Sequence, residues 1–234
     1  MIKLPWQITR QMFLSEDETD SLLAHLSQQV SRAGSDGVAA RVDELIVRSL
    51  LFSGLRNSEF CALTLANTVI GTGESVFLVR GTPREDRTVH VPGELSRLIR
   101  RFVVEIRPKC LSPGASSKDL SLPLVLNERG RPYERTGLYR RVVRILSEAG
   151  LAERASVQLL RHTYGYLAYK RSHGNLLFAQ RQLGHAHPGV TSIYAQFVDE
   201  SYADLANGLV NRGPMGPSPQ RVPRRKRVTR SKGE

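Results

Sequence analysis

The chain is poor in cysteine: Cys61 and Cys110 are its only two in 234 residues, and they lack both metal-ligand spacing and a disulfide framework. It has no run of about 18 apolar residues, so no transmembrane helix is expected. Met1 to Arg10 lacks the apolar stretch of a signal peptide. A cytoplasmic, reducing location is the simplest expectation. Gly71-Thr72-Gly73-Glu74 reads as a turn, because a phosphate loop would need a lysine and a following helix. Acidic residues are also scarce, with 22 Asp and Glu against 34 Lys and Arg, a net charge of +12. A surplus of that size points to a polyanionic partner, with nucleic acid leading. An anionic membrane is the weaker alternative, since no helix pairs a basic face with a Trp/Phe/Leu face. From Gly213 onward there are seven Lys or Arg and one Glu, so the tail carries +6 and the body keeps 12 − 6 = +6.

What remains is a chain able to bury a core, 40% hydrophobic and 24% charged. Ser15-Glu16-Asp17-Glu18 is a capping box, and it opens a helix to about Val30. A second helix spans about Val38 to Ser53, closed by Gly54. Residues 75–80 and 87–91 read as two strands around a basic turn, with a short third strand at 68–70. Leu95 to Ile106 reads as an amphipathic helix with Arg97, Arg100, Arg101 and Arg107 on its polar face. Residues 108–122, rich in Pro, Gly and Ser, form the candidate flexible insertion. A helix from an N-cap at Thr136 to about Ala149 carries Arg140, Arg141 and Arg144, a candidate DNA-docking surface. Two further helices hold Arg161 and lead to Gly184, and Tyr194 falls on a short one after Pro188-Gly189. Residues 213–219 read as a Pro/Gly linker, and residues 221–232 as a basic disordered arm.

The chemistry concentrates in four places: Arg56 in Gly54-Leu55-Arg56-Asn57-Ser58-Glu59, Arg161 in Leu160-Arg161-His162-Thr163, His185 in Leu183-Gly184-His185, and Tyr194. Two guanidinium forks, an imidazole and a phenol suit attack on a phosphodiester without a metal. Cations around Tyr194 are expected to favour its phenolate. His162, Tyr164, Tyr166 and Tyr169 read as structural. His185 and His187 lack the further ligands of a zinc site, so no metal or other cofactor is expected.

These boxes, in this order and spacing, resemble the signature of the tyrosine recombinases, the phage-integrase family, from about Phe13 to about Leu209. The resemblance implies an α+β catalytic domain, mainly helical with a small antiparallel sheet, over residues 13–212. A short extension, 1–12, precedes it and a linker with basic tail, 213–234, follows. Arg56 and Arg161 would clamp the scissile phosphate, His185 would hydrogen-bond it, and Tyr194 would attack. The resemblance also implies duplex DNA as substrate and a homotetramer on DNA, with residues 199–210 docking between neighbours.

Three departures from the family stand out. The lysine usual at the hairpin, which protonates the departing 5′ oxygen, is absent. Arg80, then Arg84, is its nearest equivalent, and a guanidinium gives up a proton poorly. His90 is a further candidate donor. Gln158 stands where a histidine is usual. The N-terminal helical domain of the family is expected to be missing, a gap that tail charge or an accessory protein would compensate. Losing a positioned general acid costs on the order of 10²–10⁴ in rate. Three readings of the site therefore stay open: a competent recombinase in which another group or water supplies the proton, a slow one, and a degenerate paralogue that binds DNA as a regulator and no longer cuts. A type IB topoisomerase is a rival that the same chemistry would serve.

Overall fold

The computed structural model describes residues 8–198 apart from 36, 72 and 82–85. Helices α1 (Glu16–Arg32) and α2 (Val38–Ser53) come first, joined by a short turn. The Ser15 hydroxyl accepts the Glu18 N–H at 3.0 Å, and the Ser15 N–H donates to Glu18 Oε2 at 2.7 Å, so the expected capping box starts α1. Helix α2 is the central post of the larger core, with Leu45, Ile46, Val47, Leu50 and Leu51 all buried. It ends at Gly54 in the left-handed region, φ +62°. A side chain there would run into Tyr164 and Leu183, so glycine is needed for space as well as for backbone conformation.

After the one-turn helix α3 (Asn57–Cys61) come strands β1 (Thr68–Val69), β2 (Ser75–Val79) and β3 (Arg87–Val91). They form one antiparallel sheet in the order β1-β2-β3, with Phe77 opposite Val89 on the buried face. The expected third strand is present. The free edge of β3 is met by helix α7 (Leu176–Leu183), whose Gln182 Oε1 accepts the His90 N–H at 3.1 Å.

Helix α4 is shorter than expected (Gly93–Arg101). It widens into a π turn at Phe102–Ile106 and tightens into a 3₁₀ turn at Arg107–Cys110. That change of pitch turns Arg107 inward. The side chain expected on a solvated face is 1% exposed, and its Nε and Nη2 donate to the Pro123 carbonyl at 3.1 and 2.9 Å. The far end of the 108–122 loop is tied down, because the Leu122 carbonyl accepts the Leu65 N–H and the Leu63 carbonyl accepts the Leu124 N–H. Helix α5 (Arg135–Glu148) begins one residue before Thr136, with Glu134 as its N-cap. Helix α6 (Val157–Arg171) follows, then α7, then the five-residue α8 (Pro188–Ser192). A second, smaller core gathers Phe13, Tyr164, Tyr166, Leu183, Ile193 and Tyr194. Residues 199–210, the linker and the basic arm lie outside the described residues, as does Arg84. No described helix is long and apolar enough to cross a membrane.

Candidate active site

Arg56 is the N-cap of α3, where its backbone N–H donates to Glu59 Oε2 at 2.7 Å. Its Nη1 donates to Glu59 Oε1 at 2.7 Å and its Nη2 to the Gly184 carbonyl at 3.1 Å. Arg161, 6% exposed on α6, donates from Nη1 to the Gly54 carbonyl and from Nη2 to the Leu183 carbonyl at 2.6 Å. Each guanidinium thus bridges sequence boxes more than a hundred residues apart. The carbonyls they hold close α2 and α7, helix ends that carry negative partial charge and suit a cation. Burial, joined by repulsion from Arg56, brings the Arg161 guanidinium down to about 10, so it remains charged at neutral pH.

Arg87, the first residue of β3, was not singled out by sequence. Its Nη1 and Nη2 form a fork on Glu59 at 2.6 and 2.8 Å, and its Nε donates to the Gln182 carbonyl at 3.1 Å. The pair lies 28 positions apart in the chain, and no local pattern announces it. Burial pushes the Glu59 carboxyl up, but the Arg87 fork and the Arg56 amide outweigh it and hold the group at about 2. Glu59 is therefore an anion that fixes two cations at the rim of a cleft.

That cleft measures about 1020 Å³ and is lined by Arg56, Arg80, Arg87, Arg181 and His185 among others. His185 Nδ1 meets Thr191 Oγ1 at 2.9 Å, which sets the ring orientation. Burial, then Arg161 and Arg56, lowers its imidazole to about 4, so His185 is neutral at pH 7. Arg80 lies one residue beyond β2, largely exposed, with Nη1 on Asp86 Oδ2 at 3.1 Å. His90 lines a separate groove with Arg97 and Arg100. Gln158, at the start of α6, is exposed.

Tyr194 departs most from expectation. It is 1% exposed and does not line the cleft. Burial pushes its phenol up to about 12, and the opposing pull of Arg161 is the smaller effect. The expectation that surrounding cations lower it is thus overturned for this resting arrangement, where desolvation of the phenolate outweighs one nearby charge. The ring rests on α6 at Gly165, where an added Cβ would lie 2.3 Å from Cζ. Its hydroxyl meets His162 Nδ1 at 3.0 Å. His162, read from sequence as a structural helix residue, is therefore the imidazole in contact with the candidate nucleophile.

The docking surface expected on α5 also divides. Arg141 is drawn into the protein by Asp43, Glu128, the Tyr133 hydroxyl and the Ala39 carbonyl. Arg144 pairs with Asp43 at 2.9 Å and with Glu148 at 2.9 Å while staying half exposed. Arg140 is exposed and has no ion pair among the described residues. It lines a groove of about 810 Å³ with Arg129 and Arg131. Arg107, expected on a polar face, and Arg141, expected at the DNA surface, instead satisfy internal acceptors.

The chain matches the Phage integrase family over residues 12–200, and it belongs to that family. Among curated relatives, tyrosine recombinase XerC of Halalkalibacterium halodurans is 30% identical over 195 residues, covering 82% of this chain and 60% of the relative. Tyrosine recombinase XerH of Helicobacter pylori is 27% identical over 167 residues, covering 70% and 44%. The chain thus spans about half the length of the curated relatives it matches. The fold is that of the XerH site-specific recombinase in its post-cleavage complex with palindromic difH substrate, with TM-score 0.65 and 24% identity over 85% of this chain and 53% of that one. The crystal structure of XerA recombinase gives TM-score 0.62 and 24% identity, covering 88% and 66%.

Proposed function

We propose that this chain is a site-specific DNA recombinase that cleaves and rejoins duplex DNA through a 3′-phosphotyrosyl bond to Tyr194. The observation that carries the reading is the convergence of Arg56, Arg161 and His185 around the Gly54 and Gly184 turns. Arg56 and Arg161 hold the nonbridging phosphate oxygens and stabilise the charge that grows on them in the transition state. His185, neutral and oriented by Thr191, adds a hydrogen bond through Nε2. Tyr194 attacks phosphorus, the P–O5′ bond breaks, and the 5′ oxygen leaves as a hydroxyl. A 5′-hydroxyl from another strand reverses the step. The bond energy is conserved in the phosphotyrosine, so neither ATP nor a metal is required.

Tyr194 is buried in the resting arrangement, so DNA binding has to open the packing that covers its hydroxyl and let the phosphate reach it beside His162. The leaving oxygen draws its proton from solvent in the open cleft, because Arg80 is a poor donor and is paired with Asp86. Four protomers would assemble on two DNA sites in the cytoplasm. An accessory protein or the basic tail would supply contacts beyond this domain.

The test is a nicked duplex that traps the cleaved state, with fragments taken from the sequence flanking the chain's own gene. Wild type should give a DNA adduct that survives denaturing electrophoresis, and Tyr194→Phe should give none. Salt-sensitive DNA binding without any adduct across those fragments would refute cleavage and leave a DNA-binding regulator.

A further inference from the structure

We infer that His162 is the group that takes the proton from the Tyr194 hydroxyl during attack, a role that rests on the proposed cleavage reaction. The geometry points there first. His162 Nδ1 lies 3.0 Å from the phenol oxygen, within reach for direct transfer. His185 has its Nδ1 engaged by Thr191 and faces the cleft, which His187 also lines. Gln158, one turn earlier on α6, is exposed and carries an amide that cannot accept a proton at neutral pH.

The contact is built into the α6 backbone. Gly165, three residues after His162, leaves the space in which the phenol ring rests. An alanine there would expel the ring from its place beside His162. The packing thus brings one imidazole and one phenol together before DNA is present.

The reaction needs such an acceptor. With the Tyr194 phenol pushed up to about 12 by burial, only about one molecule in 10⁵ carries phenolate at pH 7. Burial, then the charge of Arg161, keeps the His162 imidazole below its ordinary range, so it is unprotonated at neutral pH. In the tautomer with hydrogen on Nε2, its Nδ1 lone pair accepts the phenol O–H. Arg161, Tyr194 and His185 are the titratable groups whose charge it senses or perturbs. As the Tyr194 Oη–P bond forms, the phenol proton passes to Nδ1 and the P–O5′ bond breaks. Beside Arg161 the imidazolium is unfavourable, so it passes its proton through solvent water to the departing 5′ oxygen. Resealing runs the same transfers backwards and returns the proton to Tyr194.

The experiment measures the single-turnover rate of adduct formation on a nicked duplex that wild type cleaves, using the full chain. His162→Ala and His162→Gln are compared with wild type and with Tyr194→Phe. Both His162 variants should be slower by on the order of 10²-fold or more, and added imidazole should restore His162→Ala but not Tyr194→Phe. Glutamine keeps a hydrogen bond to the phenol without basicity. A wild-type rate in His162→Gln would therefore reduce His162 to positioning and overturn the inference. A loss in His162→Ala that imidazole leaves untouched would do the same. A rate above wild type in either variant would identify the contact as a restraint on the resting tyrosine, again overturning it. No adduct from wild type would sink the cleavage reading itself, a separate result from any difference among the variants.

Discussion

Two groups of arginines in this molecule look alike in sequence and behave differently in the fold. Arg56 and Arg87 line one cleft and Arg161 lies buried on the Gly54 and Leu183 carbonyls, so that a carboxylate and four backbone carbonyls hold the three at fixed places. Arg140, Arg141 and Arg144 fall within five consecutive positions of α5, yet only Arg140 is exposed with no ion pair among the described residues. Arg141 anchors α5 to α2 through Asp43, and Arg144 shares that carboxylate. A run of cations is therefore a weak guide to a DNA surface unless the counter-ions are known. Three dispersed arginines can form a site when backbone carbonyls and one glutamate orient them.

The comparison breaks most sharply at Arg161. Arg161→Ala should lower adduct formation by about 10³-fold, because the transition-state charge loses a buried donor. It should also lower the melting temperature, since the Gly54 and Leu183 carbonyls lose their partner. Gel assays and thermal melts read the two effects separately. Arg141→Met should show the opposite pattern. Stability should fall by roughly 2–3 kcal/mol in a denaturant titration, because Asp43 stays largely buried with only the half-exposed Arg144 beside it. Its DNA affinity, measured at a temperature where the variant remains folded, should be unchanged.

The Glu59 carboxyl gives a pH test. Its folded value of about 2 lies below the ordinary 4.5, so the fold favours the ionised form. That stabilisation is fully present above about pH 4.5 and is lost as pH falls toward 2, a contribution on the order of 3 kcal/mol. Glu59→Gln should therefore flatten the acid limb of a stability-versus-pH curve. The smallest effect is expected at Arg140. Arg140→Ala should leave stability within about 0.5 kcal/mol of wild type. It should reduce the salt dependence of DNA binding by about one unit of slope. An Arg140→Ala variant that unfolds early, or an Arg141→Met variant that loses DNA affinity while folded, would collapse the distinction between the two groups.

Much of the frame was legible because its signals are local. Ser15 and Glu18 mark the start of α1, Gly54 and Gly184 mark helix ends, and alternation marks β2 and β3. The order of Arg56, Arg161, His185 and Tyr194 also marked the family. What sequence could not supply depends on pairing at long range. Nothing near Arg87 announces Glu59, and nothing near Arg141 announces Asp43. The π turn at Phe102–Ile106 leaves the apolar pattern intact, so Arg107 reads as exposed although the altered pitch buries it. His162 was assigned to structure because its contact with Tyr194 spans 32 residues. The same distance hid the burial that raises the Tyr194 phenol, an effect set by packing against α6 and not by the cations nearby.

The central claim is that Tyr194 becomes joined to DNA, and peptide mapping of the trapped adduct tests it most directly. Trypsin should release the peptide from Gln182 to Arg212, which contains Tyr194 and Tyr202. After nuclease trimming, fragmentation mass spectrometry should place a 3′-nucleotide phosphate on Tyr194 and leave Tyr202 unmodified. A phosphate on Tyr202, or an adduct undiminished in Tyr194→Phe, would contradict the account.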